Sequence, residues 1–144
     1  QGTRCHQLAT YIVFDSPLVM LCDAPTAYRK EPECTRFIAG LPVVADETRI
    51  LQGKMGEYIV TARRVGEDWI VGGLTDWEAR TVDLDLSFLP EGMFRAEIFC
   101  DGINADKKGE DYRHEYRDVK REDRLKMQLA PGGGFAIRLK KNHN

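Results

Sequence analysis

From residue 81 onward the chain is written largely in a two-residue period, and few folds can use such a pattern. Residues 81–88 alternate strictly, with Val82, Leu84, Leu86 and Phe88 on one face and Thr81, Asp83, Asp85 and Ser87 on the other. Successive side chains of a strand point to opposite faces, so this reads as a strand in a sheet with one dry and one wet face. Phe94, Ala96, Ile98 and Cys100 repeat the pattern against Arg95 and Glu97, and Leu125, Met127 and Leu129 repeat it against Lys126 and Gln128. Phe135, Ile137 and Leu139 do so against Arg138 and Lys140. Residues 58–62 and 69–74 are largely apolar on both faces, which predicts central strands. Turn residues separate the runs: Gly66-Glu67-Asp68, Leu89-Pro90-Glu91-Gly92, Asp101-Gly102 and Pro131-Gly132-Gly133-Gly134. Short strands at this spacing predict a mainly β fold, an antiparallel sandwich of about seven or eight strands. Residues 104–121 are the polar exception and predict a long loop with an edge strand around 112–116.

The beginning of the chain has a different period. Cys5, Leu8, Ala9, Ile12 and Val13 follow the spacing of a buried helical stripe, while Tyr11 and Phe14 make the opposite side apolar as well. A helix is predicted over 3–14, ended or kinked near Pro17, with Asp23 and Pro25 marking a stop and a turn. Pro32 suits the first position of a second helix over 32–39, closed by Gly40 and Pro42. A helix apolar nearly all round needs cover on both sides, more than a lone domain of this size easily offers. With no initiator Met, the expectation is a C-terminal piece of a larger protein. Residues 1–43 are then the terminal helical segment of one domain, and residues 44–144 a complete small β-domain.

Bulk properties exclude several classes. One domain of ordinary size fits 144 residues. Lys and Arg number 21 against 23 Asp and Glu, and a net charge of -2 gives no electrostatic reason to expect nucleic acid or an anionic membrane. The apolar stretch at 8–22 is too short, and too interrupted by Asp15, Ser16 and Pro17, to span a bilayer. Cys5, Cys22, Cys34 and Cys100 show no zinc-ligand spacing and read as small buried hydrophobes, with disulfide connectivity unreadable from one sequence.

Each candidate for chemistry has a plainer competitor. Asp46-Glu47 could work as a paired acid, but with no visible partner a solvated or capping role is the expectation. Asp101, Asn104 and Asp106 offer oxygen ligands in a tight loop, yet their spacing fails the EF-hand register, and a side-chain-bonded turn is the default. Gly132-Gly133-Gly134 lies between strands and lacks the Lys-Ser/Thr of a phosphate loop, so it reads as a hairpin connection. His6, His114 and His143 are scattered and support no triad. Trp69, in an apolar strand, is expected in the core; Trp77, at a strand end, is the one candidate for stacking on a sugar ring.

Taken in order, these residues resemble one family. Gly2-Thr3-Arg4, His6-Gln7-Leu8-Ala9, Tyr11-Ile12-Val13-Phe14, Ser16-Pro17-Leu18 and Met20-Leu21 are similar to the closing helix of the catalytic barrel in glycoside hydrolase family 97. The likeness continues through Asp46-Glu47-Thr48, Gly56-Glu57-Tyr58-Ile59, Ala62-Arg63 and Val71-Gly72-Gly73 with Thr75-Asp76. It ends with Asp101-Gly102, Ala105-Asp106 and Leu129-Ala130-Pro131-Gly132-Gly133-Gly134. The resemblance implies a parent with an N-terminal β-super-sandwich, a central (β/α)8 barrel and a C-terminal β-sandwich described as an oligomerisation domain. Such enzymes hydrolyse α-glucosides or α-galactosides with paired carboxylates beside a calcium ion. Those groups lie upstream of Gln1, so no catalytic or metal-binding residue and no cofactor is assigned to this chain. The implied partners are the catalytic barrel, a second copy in a homodimer and the parent's α-linked oligosaccharide. The implied location is periplasmic or secreted in a bacterium. An independent carbohydrate-binding sandwich is the alternative, in which Trp77 would be the substrate-binding residue.

Overall fold

The computed structural model describes residues 2–14, 32–41, 44–109 and 111–143. The readings made for Pro17, Cys22, Asp23, Pro25 and Pro42 lie outside them. Among the described residues there are two helices, α1 (Arg4–Val13) and α2 (Pro32–Ala39), and eight strands. The strands are β1 (Glu47–Lys54), β2 (Tyr58–Val65), β3 (Asp68–Thr75), β4 (Arg80–Asp85), β5 (Phe94–Asp101), β6 (Tyr112–Val119), β7 (Arg124–Leu129) and β8 (Gly134–Lys141). They form a six-stranded sheet in the order β1-β2-β3-β8-β5-β6 and a two-stranded sheet, β4-β7, every pair antiparallel.

The antiparallel sandwich is therefore present, with unequal layers. One face of the large sheet meets the β4-β7 pair over Val71, Phe94, Ile98, Phe135 and Ile137, with Val82, Leu84, Leu125 and Met127 opposite. In β4 and β7 the alternation of dry and wet faces is the one their sequences announce. In β5 and β8 it is not, because Phe99 and Ala136 point away from that core and are still fully buried. They belong to a second core on the other face of the large sheet, closed by Cys5, Leu8, Tyr11 and Ile12 of α1 and Cys34, Phe37 and Ile38 of α2. The chain thus supplies cover for its own apolar helix: the stripe at 5–12 rests on the second face of its own sheet. Burying a residue such as Leu8 or Ile12 contributes about 1.5–3 kcal/mol, enough to hold a ten-residue helix that would be marginal alone.

Two strand readings change for local reasons. The alternation through 81–88 is strand only to Asp85, whose side chain accepts the Ser87 N–H at 3.0 Å and starts a 3-10 turn, Leu86–Phe88. Phe88 then packs its ring edge against Trp69, centroids 5.0 Å apart. Strand β1 is not announced by a period because a register shift between Ile50 and Gln52 breaks its alternation. The glycine run at 132–134 does not close a hairpin. It carries the chain from β7 in the small sheet to β8 in the large one, and those two strands do not pair.

Candidate functional site

The helix-bearing face of the large sheet gathers nearly all the buried polar chemistry of the described residues. Helix α1 can approach this closely because Gly72 lies beneath it: a Cβ there would sit 2.8 Å from the Cβ of Ile12 and 3.1 Å from the Ala9 carbonyl oxygen. Three polar anchors fasten the helices.

At the start of α1, Thr3 caps the helix by accepting the His6 N–H at 3.1 Å, and its own hydroxyl donates to Asp101 Oδ1 at 2.6 Å. The other carboxylate oxygen accepts the N–H groups of Ala130 at 2.9 Å and Gly134 at 3.0 Å. Burial pushes the Asp101 carboxyl above its ordinary range, opposed by the Thr3 hydroxyl and the two backbone donors. The glycine run completes this corner. Gly132 O accepts the Thr3 N–H at 3.0 Å, Gly133 O bonds His6 Nδ1 at 3.1 Å, and a Cβ on Gly133 would lie 1.9 Å from Asp101 Oδ2. Asp101 is thus a structural hub, and the loop after it closes on Asp111, whose carboxylate accepts the Asn104 N–H.

At the helix C-termini, arginines from the sheet reach the last carbonyls. No basic residue stands in the last turn of α1. Instead Arg63 of β2 donates to the carbonyls of Ile12 and Val13, and to Thr48 Oγ1 at 2.9 Å. Arg138 of β8 donates to Phe37 O at 3.0 Å and lies over that residue's ring.

Beneath α2, His114 of β6 bonds Glu33 through Nδ1 and Glu97 through Nε2, the latter at 2.9 Å. Tyr112 donates to the other oxygen of Glu33 at 2.7 Å, and Tyr116 to Glu97 at 3.2 Å. The imidazole stacks on Phe99, centroids 4.1 Å apart and planes within 12°. The Tyr112 hydroxyl holds Glu33 below the usual carboxylate range, against the opposing effect of burial and with help from His114. Burial, and then the same bond, push the Tyr112 phenol far up. Sequence reasoning passed over this cluster because His114 has no catalytic spacing. Its signal was Tyr112-x-His114-x-Tyr116 on an edge strand, three ring-bearing residues on one face.

Among the described residues the buried and half-buried carboxylates of this face are already engaged. Glu33 is held ionised, both nitrogens of His114 are engaged, and Asp101 is sealed with its acceptors used. Asp46 caps Gly66 N at 2.8 Å, and Glu47 is held below its ordinary range by Arg49 and then Arg64. Among the described residues no group of three or more His, Cys, Asp and Glu side chains is placed to hold a metal ion. Cys5, Cys34 and Cys100 are buried free thiols raised by burial. Trp69 is in the core, whereas Trp77 is 70% exposed with its ring edge against Gly132.

Comparison with known proteins gives this face a context. Residues 44–140 match the family model described as "Glycosyl-hydrolase 97 C-terminal, oligomerisation". The chain is 56% identical over 97% of its length to a retaining alpha-galactosidase of Bacteroides thetaiotaomicron, and 30% identical over 90% to a probable retaining alpha-galactosidase of Streptomyces bingchenggensis. It spans about a fifth of those proteins, 21% and 19%. It superposes on a family 97 enzyme of Pseudoalteromonas sp. strain K8, solved with acarbose, with a TM-score of 0.86 at 32% identity. That match covers 99% of this chain and 23% of the enzyme, so the helices on the sheet are part of the shared arrangement. A β-arabinopyranosidase matches more loosely, with a TM-score of 0.59 at 28% identity over 80% of this chain and 18% of the enzyme. The chain belongs to glycoside hydrolase family 97, as the C-terminal oligomerisation domain with the helices that precede it.

Proposed function

We propose that this chain is the non-catalytic C-terminal region of a retaining α-galactosidase, where it braces the catalytic barrel and takes part in oligomerisation. The observation that carries the choice of substrate is the 56% identity, over nearly the whole chain, to a retaining alpha-galactosidase. The absence of catalytic duty rests on the chemistry above, in which the buried carboxylates are committed to holding helices. On this reading the paired carboxylates and the calcium ion of the parent lie in the upstream barrel. The test is turnover of aryl α-galactosides and α-glucosides by the complete polypeptide beside the 144-residue chain. The complete protein should prefer galactosides and release the α-anomer first, and the chain alone should release nothing. Hydrolysis by the chain, abolished by changing one of its own Asp or Glu residues, would sink the proposal.

Exposure of Trp77 keeps a second reading in view, a sugar-binding module. One ring with an edge against Gly132 offers a single stacking face, and such a contact contributes about 1 kcal/mol, less than tenfold in affinity. Calorimetry against galactosides and maltooligosaccharides should therefore find at most weak binding. Micromolar binding lost in Trp77→Ala would favour the module.

A further inference from the structure

The face of the large sheet that turns towards β4 and β7 changes from apolar to cationic at one end. Along β2 it runs through Val60 and Ala62, both fully buried in the first core, and ends on Arg64, which pairs across the strands with Trp69. On β1, Arg49 stands opposite Ala62 and Glu47 opposite Arg64, so both share that face. The period of a half-buried strand calls for apolar side chains at such positions. Arginines there break a local rule, and such breaks gather at functional sites. The turn Leu86–Phe88 and the Leu89-Pro90 step after it stand across from these arginines, and a cleft of about 520 Å³ lies between, with Trp69 in its lining. It belongs to the side of the sheet away from α1 and α2.

Two more cations complete the lining, Arg121 from the β6-β7 turn and Lys141 from the end of β8. Arg49 and Arg64 are already committed, since both bond the Glu47 carboxylate, Arg64 at 3.2 Å. Glu67 is taken by His143 at 3.0 Å. Arg121 and Lys141 have only neutral acceptors: Arg121 donates to the Ser87 carbonyl at 3.2 Å and Lys141 Nζ to that of Glu91. Neither forms an ion pair among the described residues. Four cations thus share one cleft with two carboxylates, in a chain whose net charge is -2. Trp69, 2% exposed, adds an indole N–H that no group of the described residues accepts. Buried donors are nearly always paired, so this one stands out.

From this we infer that the cleft is a binding site for a small organic anion, a carboxylate or phosphate head on a compact body. The head meets Arg121 and Lys141, whose charges nothing else in the cleft offsets, and charge-assisted bonds of this kind are the strong ones. An oxygen of the ligand against Trp69 supplies the acceptor its indole lacks. The body fills the remainder against Phe88, Leu89 and Pro90. A bare inorganic ion leaves most of 520 Å³ empty, whereas that volume suits a small molecule, for which sites run to about 300–1,000 Å³. A neutral sugar finds no open ring, because Trp69 lies under the Arg49 guanidinium, 5.5 Å from its centroid, and against the edge of Phe88. The inference goes beyond the bracing role and does not depend on the substrate of the parent enzyme.

The experiment is calorimetry on the complete polypeptide with benzoate and with phenyl phosphate, benzyl alcohol serving as the neutral control and sodium chloride holding the ionic strength. The expected result is one saturable site for at least one of the two anions and none for the alcohol. Arg121→Gln combined with Lys141→Gln should weaken that binding about tenfold or more. Glu47→Gln, which frees Arg49 and Arg64, should tighten it several-fold. All these variants should keep the wild-type kcat on an aryl α-galactoside, which separates the cleft from any anion site in the catalytic region. Absence of saturable binding, or equal binding of the alcohol, would overturn the inference. So would an affinity that the double variant leaves unchanged. Should the double variant not fold, Glu47→Gln decides, and an unchanged affinity there overturns the inference as well. Anion binding that follows these variants in a protein without α-galactosidase activity would sink the substrate reading and leave the cleft assignment standing.

Discussion

Two carboxylates on the helix-bearing face should respond to pH in opposite senses, because one is starved of solvent and the other is fed by donors. Asp101 has its pKa raised chiefly by burial. For an acid raised in the folded state, the penalty is absent below the unfolded value, about 3.9, and grows as pH rises through the folded value. Folding stability from this group therefore falls with rising pH. Glu33 is lowered by the Tyr112 hydroxyl, so its contribution is present above its unfolded value, about 4.3, and is lost as pH falls through the folded one. Denaturant titrations from pH 3 to 7 should show Asp101→Asn gaining on the wild type as pH rises. Glu33→Gln should lose most at neutral pH and converge with the wild type on acidification. Parallel curves for both variants would show that neither anchor is linked to protonation. A harsher change, Asp101→Ala, leaves the Thr3 hydroxyl and two backbone N–H groups without their acceptor and should cost about 2–4 kcal/mol.

At the scale of elements, what could be read from sequence depended on whether an element's own residues decide it. Helix α2 falls at Pro32–Ala39, where its proline start and glycine end place it, and β4 and β7 show their alternation because a single wet face is all they have. Strand β1 was hidden by its register shift, and the end of β4 by one Asp85 hydrogen bond. The C-terminus of α1 was the hardest to read, since its carbonyls are satisfied by Arg63, fifty residues away. No local pattern reports a cap borrowed from a sheet. Arg63→Ala should cost about 1–2 kcal/mol and speed amide exchange in the last turn of α1 more than in β2. Arg63→Lys should recover only part, because a single ammonium cannot serve Ile12, Val13 and Thr48 in one plane. Equal exchange in α1 with and without Arg63 would remove its role as a cap. Gly72→Val, by contrast, overpacks the helix–sheet contact and should cost about 1–3 kcal/mol.

For the whole molecule, the sandwich was legible and the second core was not. An apolar helix reads in sequence as surface owed to another domain, and only the structure shows that Ile70, Phe99 and Ala136 meet it from within the chain. One consequence has a sign that can be checked: deleting residues 1–41 should raise binding of an apolar-surface dye, because it bares the second face of the sheet. A fall in dye binding on deletion would return the helix to the role of an orphan. The family assignment was readable because its residues run in order through both the helix and the sandwich. The three anchors were not, because each joins residues that are distant in sequence. If this region braces the enzyme and performs none of its chemistry, a kinetic measurement on the complete polypeptide separates the two roles. Arg63→Ala and Gly72→Val should leave kcat for an aryl α-galactoside at 25 °C unchanged while shortening the half-life of activity at elevated temperature several-fold. A fall in kcat at 25 °C in variants whose fold is intact, with the half-life unmoved, would contradict it.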